Sequence, residues 1–300
     1  MRNRALLAIL IANILGGTSY LVQKLALEGL PPSTITFGRN LVAVVVMWIW
    51  ARSRGHIQFK STKREHGLML VLGTLCFAAP MLLGVIGIRY STAANGSILI
   101  LLEPGVILLM SWWLLRERAT WIQMVGVVIG LIGALVIVLK DAPIDGLMAE
   151  EHLSGNLILI LHGVMWGCYT PVSRLLSRTK GVTEITLISM MYAMVLLVPS
   201  MLFEIPEWHA GPHLWPAIFW TVVLGVLVSW LGTYLWNFSA SQLASRTIAP
   251  FVFVQPVAGA GIAWLVLNEM PSAGVWIGTG IIVVGVLLVM RGGPPSPDYS

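Results

Sequence analysis

Ten runs of mostly apolar residues follow one another along the chain, separated by short polar breaks. The hydrocarbon core of a bilayer is about 30 Å thick and takes about 20 helical residues to cross. The pattern therefore predicts ten transmembrane helices, over 5–23, 34–51, 67–88, 92–115, 119–139, 155–175, 183–203, 215–236, 247–267 and 272–290. The longest breaks are 52–66 and 140–154, and the closing GGPPSPDYS, 292–300, reads as a disordered tail. The opening MRNRALLAILIANILGG has the look of a signal peptide. No convincing cleavage site follows it and nine further runs do, so it is read as a retained first helix.

Composition agrees with a lipid environment. The 300 residues are 57% hydrophobic and 10% charged, against roughly 25% charged in soluble domains. So few charges cannot cover a water-facing exterior, and the chain reads as an all-α integral membrane protein. The net charge of +5 does not argue for nucleic acid, because Lys and Arg sit in the short breaks. There they set orientation. With the N-terminus in the cytoplasm, the cytoplasmic segments carry 14 basic residues, from Arg2 and Arg4 through Arg291. Only Lys24, Arg89 and Lys140 fall outside, and Arg39 lies just within the second span, making 4 at most. The outer breaks are acidic instead, with Asp141, Asp145, Glu150, Glu151, Glu204 and Glu207. Both termini are expected in the cytoplasm of a bacterial-type inner membrane.

The two halves repeat one another. At an offset of 150, Gly17 matches Gly167, Lys24 matches Arg174, and Ile35-Thr36 matches Ile185-Thr186. From the fourth run on the offset is 152, pairing Pro104 with Pro256, Trp112 with Trp264, Glu117 with Glu269, Gly126 with Gly278 and Gly133 with Gly285. The predicted units are 1–146 and 147–291, with five spans each. An odd number of spans turns the second unit upside down relative to the first. Secondary transporters use this arrangement to expose one site alternately to either side.

The paired stretches LLEPGVILLMSWWLLRERATWIQMVGVVIGLIGALVIVL and FVFVQPVAGAGIAWLVLNEMPSAGVWIGTGIIVVGVLLV resemble the repeats of the drug/metabolite transporter superfamily, EamA type. The likeness covers roughly residues 5–290. Its most specific element is Pro, then Glu thirteen residues on, then Gly nine further, present twice. The resemblance implies two inverted five-helix repeats around a central cavity. It also implies export of amino acids, aromatic ones among them, or of other small metabolites. One departure is plain: Gln255 stands where the first half has Glu103, so no symmetric carboxylate pair exists.

Several residues are candidates for binding substrate. Glu103 is the one acid deep in a predicted span. It reads either as a proton or ammonium site or as a neutral acid bonding carbonyls freed by Pro104. His162 and Trp166 share a helix face at i and i+4, with Tyr169 close behind. Trp230 and Tyr234 repeat that spacing in the eighth span and could face Trp166. Tyr20, Asn95 and Gln255 complete the set, and interhelical hydrogen bonding is the other reading for these polar groups. Glu117 and Glu269 are read as acids at helix starts. The glycines Gly126, Gly130, Gly133, Gly278 and Gly285 are read as points of close helix approach.

Other chemistries find little support. His209 and His213 are separated by Gly211-Pro212 and share no regular face, so no metal site is expected. Cys76 and Cys168 lie inside apolar runs and suggest neither a disulfide nor a cofactor. There is no P-loop for ATP-driven pumping, and no clustered nucleophile or paired acids for an enzyme. The expectation is a secondary transporter that exports small amphipathic metabolites, amino acids first. A multidrug or nucleotide-sugar-type carrier of the same fold is the alternative, and a membrane enzyme or scaffold is a more distant one.

Overall fold

The computed structural model describes residues 2–55, 61–91, 99–138, 153–209, 211–267 and 273–291. Among these residues all regular structure is helical and there is no strand. The helical stretches are α1 (Arg2–Leu27), α2 (Pro32–Ser53), α3 (63–89), α4 (Ile100–Leu115), α5 (Trp121–Val138), α6 (Leu153–Leu176), α7 (Val182–Glu207), α8 (Leu214–Gln242), α9 (245–267) and α10 (Ala273–Arg291). Six of them, α1, α2, α3, α7, α8 and α10, are long and apolar enough to cross a membrane; α4 and α5 are shorter apolar helices. The 24-residue α6 does not reach that apolarity, because it carries Asn156, His162, Ser173 and Arg174 on its buried face.

The helix ends have local causes. α3 starts with a capping box: Glu65 N–H donates to the Thr62 hydroxyl at 3.3 Å, and Thr62 N–H donates to the Glu65 carboxylate at 2.7 Å. α2 has Pro32 at its first position and no side-chain cap of its own. Its first amides are served from a distance. Ser33 N–H and Thr34 N–H donate to the two oxygens of Glu204, at the end of α7, both at 2.9 Å. Arg116 closes α4 in the left-handed conformation, φ 59°, with its N–H on the Ser111 carbonyl. α5 does not start at Glu117 as its sequence suggests. It starts at Trp121 behind Thr120, whose hydroxyl accepts from Gln123 N–H at 3.4 Å.

The helices pack by an exchange between halves. α1 lies against α8 and α9, while α6 lies against α3 and α4. α2 packs on α7 and α8, α7 packs on α2 and α3, and α5 and α10 pack on each other. The contacts obey the register of the sequence repeat. A Cβ on Gly17 would strike the Gln255 carbonyl, and one on Gly167 would meet the Glu103 carbonyl. Gly73 abuts the Ser189 carbonyl, and Gly225 abuts that of Arg39. Gly126 faces Gly285, and Gly133 faces Gly278, with a Cβ on either Gly126 or Gly133 falling 2.7 Å from the facing carbonyl. These helices approach so closely that only glycine fits at the crossings.

Two departures from α-geometry also match across the halves. Hydrogen bonding widens to π-helix at Thr74–Ala78 in α3 and at Leu224–Gly232 in α8. It tightens to 3₁₀ at Ile100–Leu102 in α4 and at Ala249–Phe253 in α9. Each tight turn ends just before the paired Glu103-Pro104 and Gln255-Pro256.

The outer surface is apolar. Trp121 is 80% exposed, Trp215 76% and Phe203 83%, and each lies near a helix end. Aromatic side chains at such places suit the two bilayer interfaces.

Candidate functional site

Seven helices, α1, α2, α3, α4, α6, α8 and α9, bound a cavity of about 140 Å³. Its position follows from the kinked stretches. The π-turn of α3 brings in Phe77, the π-turn of α8 brings in Val228, Ser229 and Gly232, and the two 3₁₀ ends bring in Glu103 and Gln255.

One wall is aromatic. The Trp166 ring meets Phe77 edge to face at 5.9 Å, Tyr169 at 5.9 Å and His162 at 6.5 Å. Tyr169 is oriented from behind: its hydroxyl accepts from Asn237 at 2.9 Å, and Asn237 also accepts from Ser173 at 2.6 Å and donates to Thr186 at 2.9 Å. The His162 Nδ1 lies 2.6 Å from the Pro80 carbonyl. A carbonyl only accepts, so Nδ1 carries the hydrogen, and in the neutral ring Nε2 is left as an acceptor. Gly84 makes room for that ring, since a Cβ there would fall 2.7 Å from Cε1.

Among the described residues, one arginine, Arg39, and one acid, Glu103, line the cavity. Arg39 sits two turns inside α2, about 10 Å along the axis, and is 7% exposed. Its Nε donates to the Ser229 hydroxyl at 2.8 Å. Glu103 is 4% exposed and lines the same cavity. An ionised side chain at mid-membrane depth costs about 2.5–3.5 kcal/mol on insertion scales, so each needs a compensating partner or water.

The Glu103/Gln255 pair shows how the halves diverge. Gln255 is occupied: its amide donates to Asn13 at 3.0 Å, and Asn13 donates in turn to the Ile9 carbonyl at 2.8 Å. The position matching Asn13 in the second half is Gly163. Glu103 accordingly has no such partner, and among the described residues its carboxyl holds no hydrogen bond.

The ends of the bundle differ. At one end Arg174 pairs with Glu117 at 2.6 Å, with the two side chains only 8% and 12% exposed. The other oxygen of Glu117 accepts from Ser245 N–H at 2.9 Å, and Arg174 also donates to the Ala240 carbonyl at 2.8 Å. Glu117 therefore does cap a helix start, that of α9 rather than α5. This ties α4, α6, α8 and α9 together. At the other end, Arg89–Glu207 at 3.9 Å and His213–Glu28 at 3.8 Å are long and more than half exposed. They border an open cleft of about 610 Å³.

Of the residues chosen from sequence, Glu103, His162, Trp166, Tyr169 and Gln255 meet in the cavity. Trp230 and Tyr234 do not face Trp166. They pack edge-on against Trp50, at 6.2 and 6.3 Å, on another side of α8. The cavity takes the neighbouring stripe of α8, Ser229, Gly232, Thr233 and Trp236. Tyr20 belongs to α1, and Asn95 and Glu269 lie outside the described residues. Phe77, Trp236, Ser229 and Arg39 line the cavity too, outside the set that spacing and residue type pick out from the sequence. Arg39 carried a usable signal, as a basic residue inside a predicted span.

The sequence model of the EamA-like transporter family matches residues 3–139 and again 153–291. An uncharacterized transporter of Archaeoglobus fulgidus is 25% identical over 293 residues, covering 96% of this chain and 98% of its own. A probable terminal-alkyne amino-acid exporter of Streptantibioticus cattleyicolor is 23% identical over 290 residues, covering 96% and 94%. A solved crystal structure superposes with a TM-score of 0.81 at 20% identity, over 97% of this chain and 98% of that one, which shows a shared fold.

Proposed function

From the chain's membership of the EamA-like transporter family, we propose that it exports small amphipathic metabolites, amino acids with apolar and aromatic side chains foremost, by alternating access. It is a multi-pass membrane protein of a transporter family. The architecture proposed for it has ten spans in two inverted repeats, 1–146 and 147–291, with both termini cytoplasmic. The matching contacts of Gly17 on Gln255 and Gly167 on Glu103, and of Gly73 on Ser189 and Gly225 on Arg39, support that arrangement.

One observation carries the cargo reading. The cavity sets an aromatic wall, Trp166, Phe77 and Tyr169, beside one unpaired carboxyl, Glu103. Such a wall suits apolar side chains of varied shape and attracts an ammonium group by cation–π contact. Glu103 is suited to hold that ammonium or a coupling proton. The exporter name of the S. cattleyicolor relative points the same way. A nucleotide-sugar cargo fits less well, because about 140 Å³ lies below the 300–1,000 Å³ common for drug-sized ligands.

The test is flux of labelled phenylalanine and leucine through proteoliposomes of the purified chain, from pH 5 to 8. Saturable flux of both is expected, with a pH dependence that Glu103→Gln flattens. No flux of any amino acid, beside saturable flux of a nucleotide sugar, sinks the proposal.

A further inference from the structure

The cavity holds one guanidinium, that of Arg39, and the export reading so far gives it no task. Its placement is built. Nε is fixed at 2.8 Å by the hydroxyl of Ser229, itself 1% exposed and carried on the π-turn of α8. Among the described residues no carboxylate lies within 4.0 Å of Arg39, and its two terminal nitrogens hold no further hydrogen bond. Arg39 is thus a buried, permanently charged group that lines the cavity, with its paired Nη donors unbonded among the described residues.

A guanidinium held by one edge presents the rest of its donors as a rigid fork. That fork matches the two oxygens of a carboxylate. A buried unpaired charge is costly, so the state in which an anion completes it is favoured. A single positive charge balances a monovalent anion, and among the described residues no second Lys or Arg lines the cavity to serve a dianionic phosphate. Glu103, an acid, lines the same cavity and suits a cationic group on the same molecule.

We infer that Arg39 is the anchor for the substrate's carboxylate and selects small carboxylic acids over amines and neutral analogues. This rests on the reading of the cavity as the transport site, and it goes beyond the amino-acid proposal by assigning the group that reads the acid.

Calorimetric binding to the purified chain tests it with phenylalanine, phenethylamine, which lacks the carboxylate, and 3-phenylpropionate, which lacks the ammonium. The wild type is expected to bind at least one of the two carboxylates tenfold or more tighter than the amine. Arg39→Gln should remove that preference, and Arg39→Lys, with charge but no fork, should restore part of it. Should Arg39→Gln fail to fold, Ser229→Ala frees Nε and should weaken the carboxylates severalfold while sparing the amine. Equal binding of phenylalanine, 3-phenylpropionate and the amine by the wild type, or no binding of either carboxylate, overturns the inference. So does a preference that survives Arg39→Gln. Binding of 3-phenylpropionate with phenylalanine excluded would instead retire the amino-acid cargo and keep the Arg39 anchor.

Discussion

Removing the charge of Glu117 should open the bundle at the Arg174 end. In this structure the Glu117 carboxylate pairs with Arg174 at 2.6 Å and accepts from Ser245 N–H at 2.9 Å. Glu117→Gln keeps an oxygen for Ser245 but leaves Arg174 with a neutral neighbour. The loss is one charge-assisted hydrogen bond, worth about 1.5–3 kcal/mol, and Arg174 is left almost buried without its counter-charge. Nothing equivalent is lost in a conformation where Arg174 reaches water. The equilibrium should therefore shift toward opening at that end by roughly ten- to hundredfold. The assay uses a cysteine at Ala12, a cavity-lining position on α1, with Cys76 and Cys168 replaced by Ser. Alkylation by a membrane-impermeant maleimide is timed in vesicles of each orientation. The rate should rise by that factor from the Glu117 face alone. An unchanged rate, or a rise from the opposite face, refutes the argument that this ion pair holds the end shut.

Two further predictions concern the wall and the topology. Trp166→Ala deletes edge contacts with Phe77, Tyr169 and His162, worth about 0.5–1.5 kcal/mol each. It should lower transport or alter substrate preference, whereas Tyr234→Phe, on the Trp50 side of α8, should transport as the wild type does; equal flux from both variants removes Trp166 from the site. Cysteines placed at Ser61 and Asp145 should label from opposite sides of the membrane, and labelling from one side contradicts the ten-span arrangement.

Much of the fold was legible because lipid imposes a simple rule, an apolar run for each crossing, and the helices found lie on those runs. The repeat was legible in Pro104/Pro256 and the paired glycines, whose roles are steric and leave little choice of residue. The site was less so. The pair His162/Trp166 and the pair Trp230/Tyr234 have the same spacing, yet only the first faces the cavity, because spacing tells which residues share a face and not which face of α8 turns inward. Arg39 was counted with the basic residues that set orientation, and its burial against Ser229 depends on a residue 190 positions away. The weight of Glu103 could not be read from Gln255 alone. It depends on Asn13, which satisfies Gln255, and on the glycine that stands in the corresponding place opposite Glu103.

The remote cap on α2 has a bearing on how the chain is made. Ser33 and Thr34 donate to Glu204, which leaves the ribosome about 170 residues later. At about 5–20 residues per second, that lag is roughly 10–30 s. Through that interval the Glu204 carboxylate is not there to serve the first turn of α2, and its amides should stay open to hydrogen exchange. Only when α7 has been made can the Glu204 carboxylate close them, so the first half of the protein is completed by the arrival of the second.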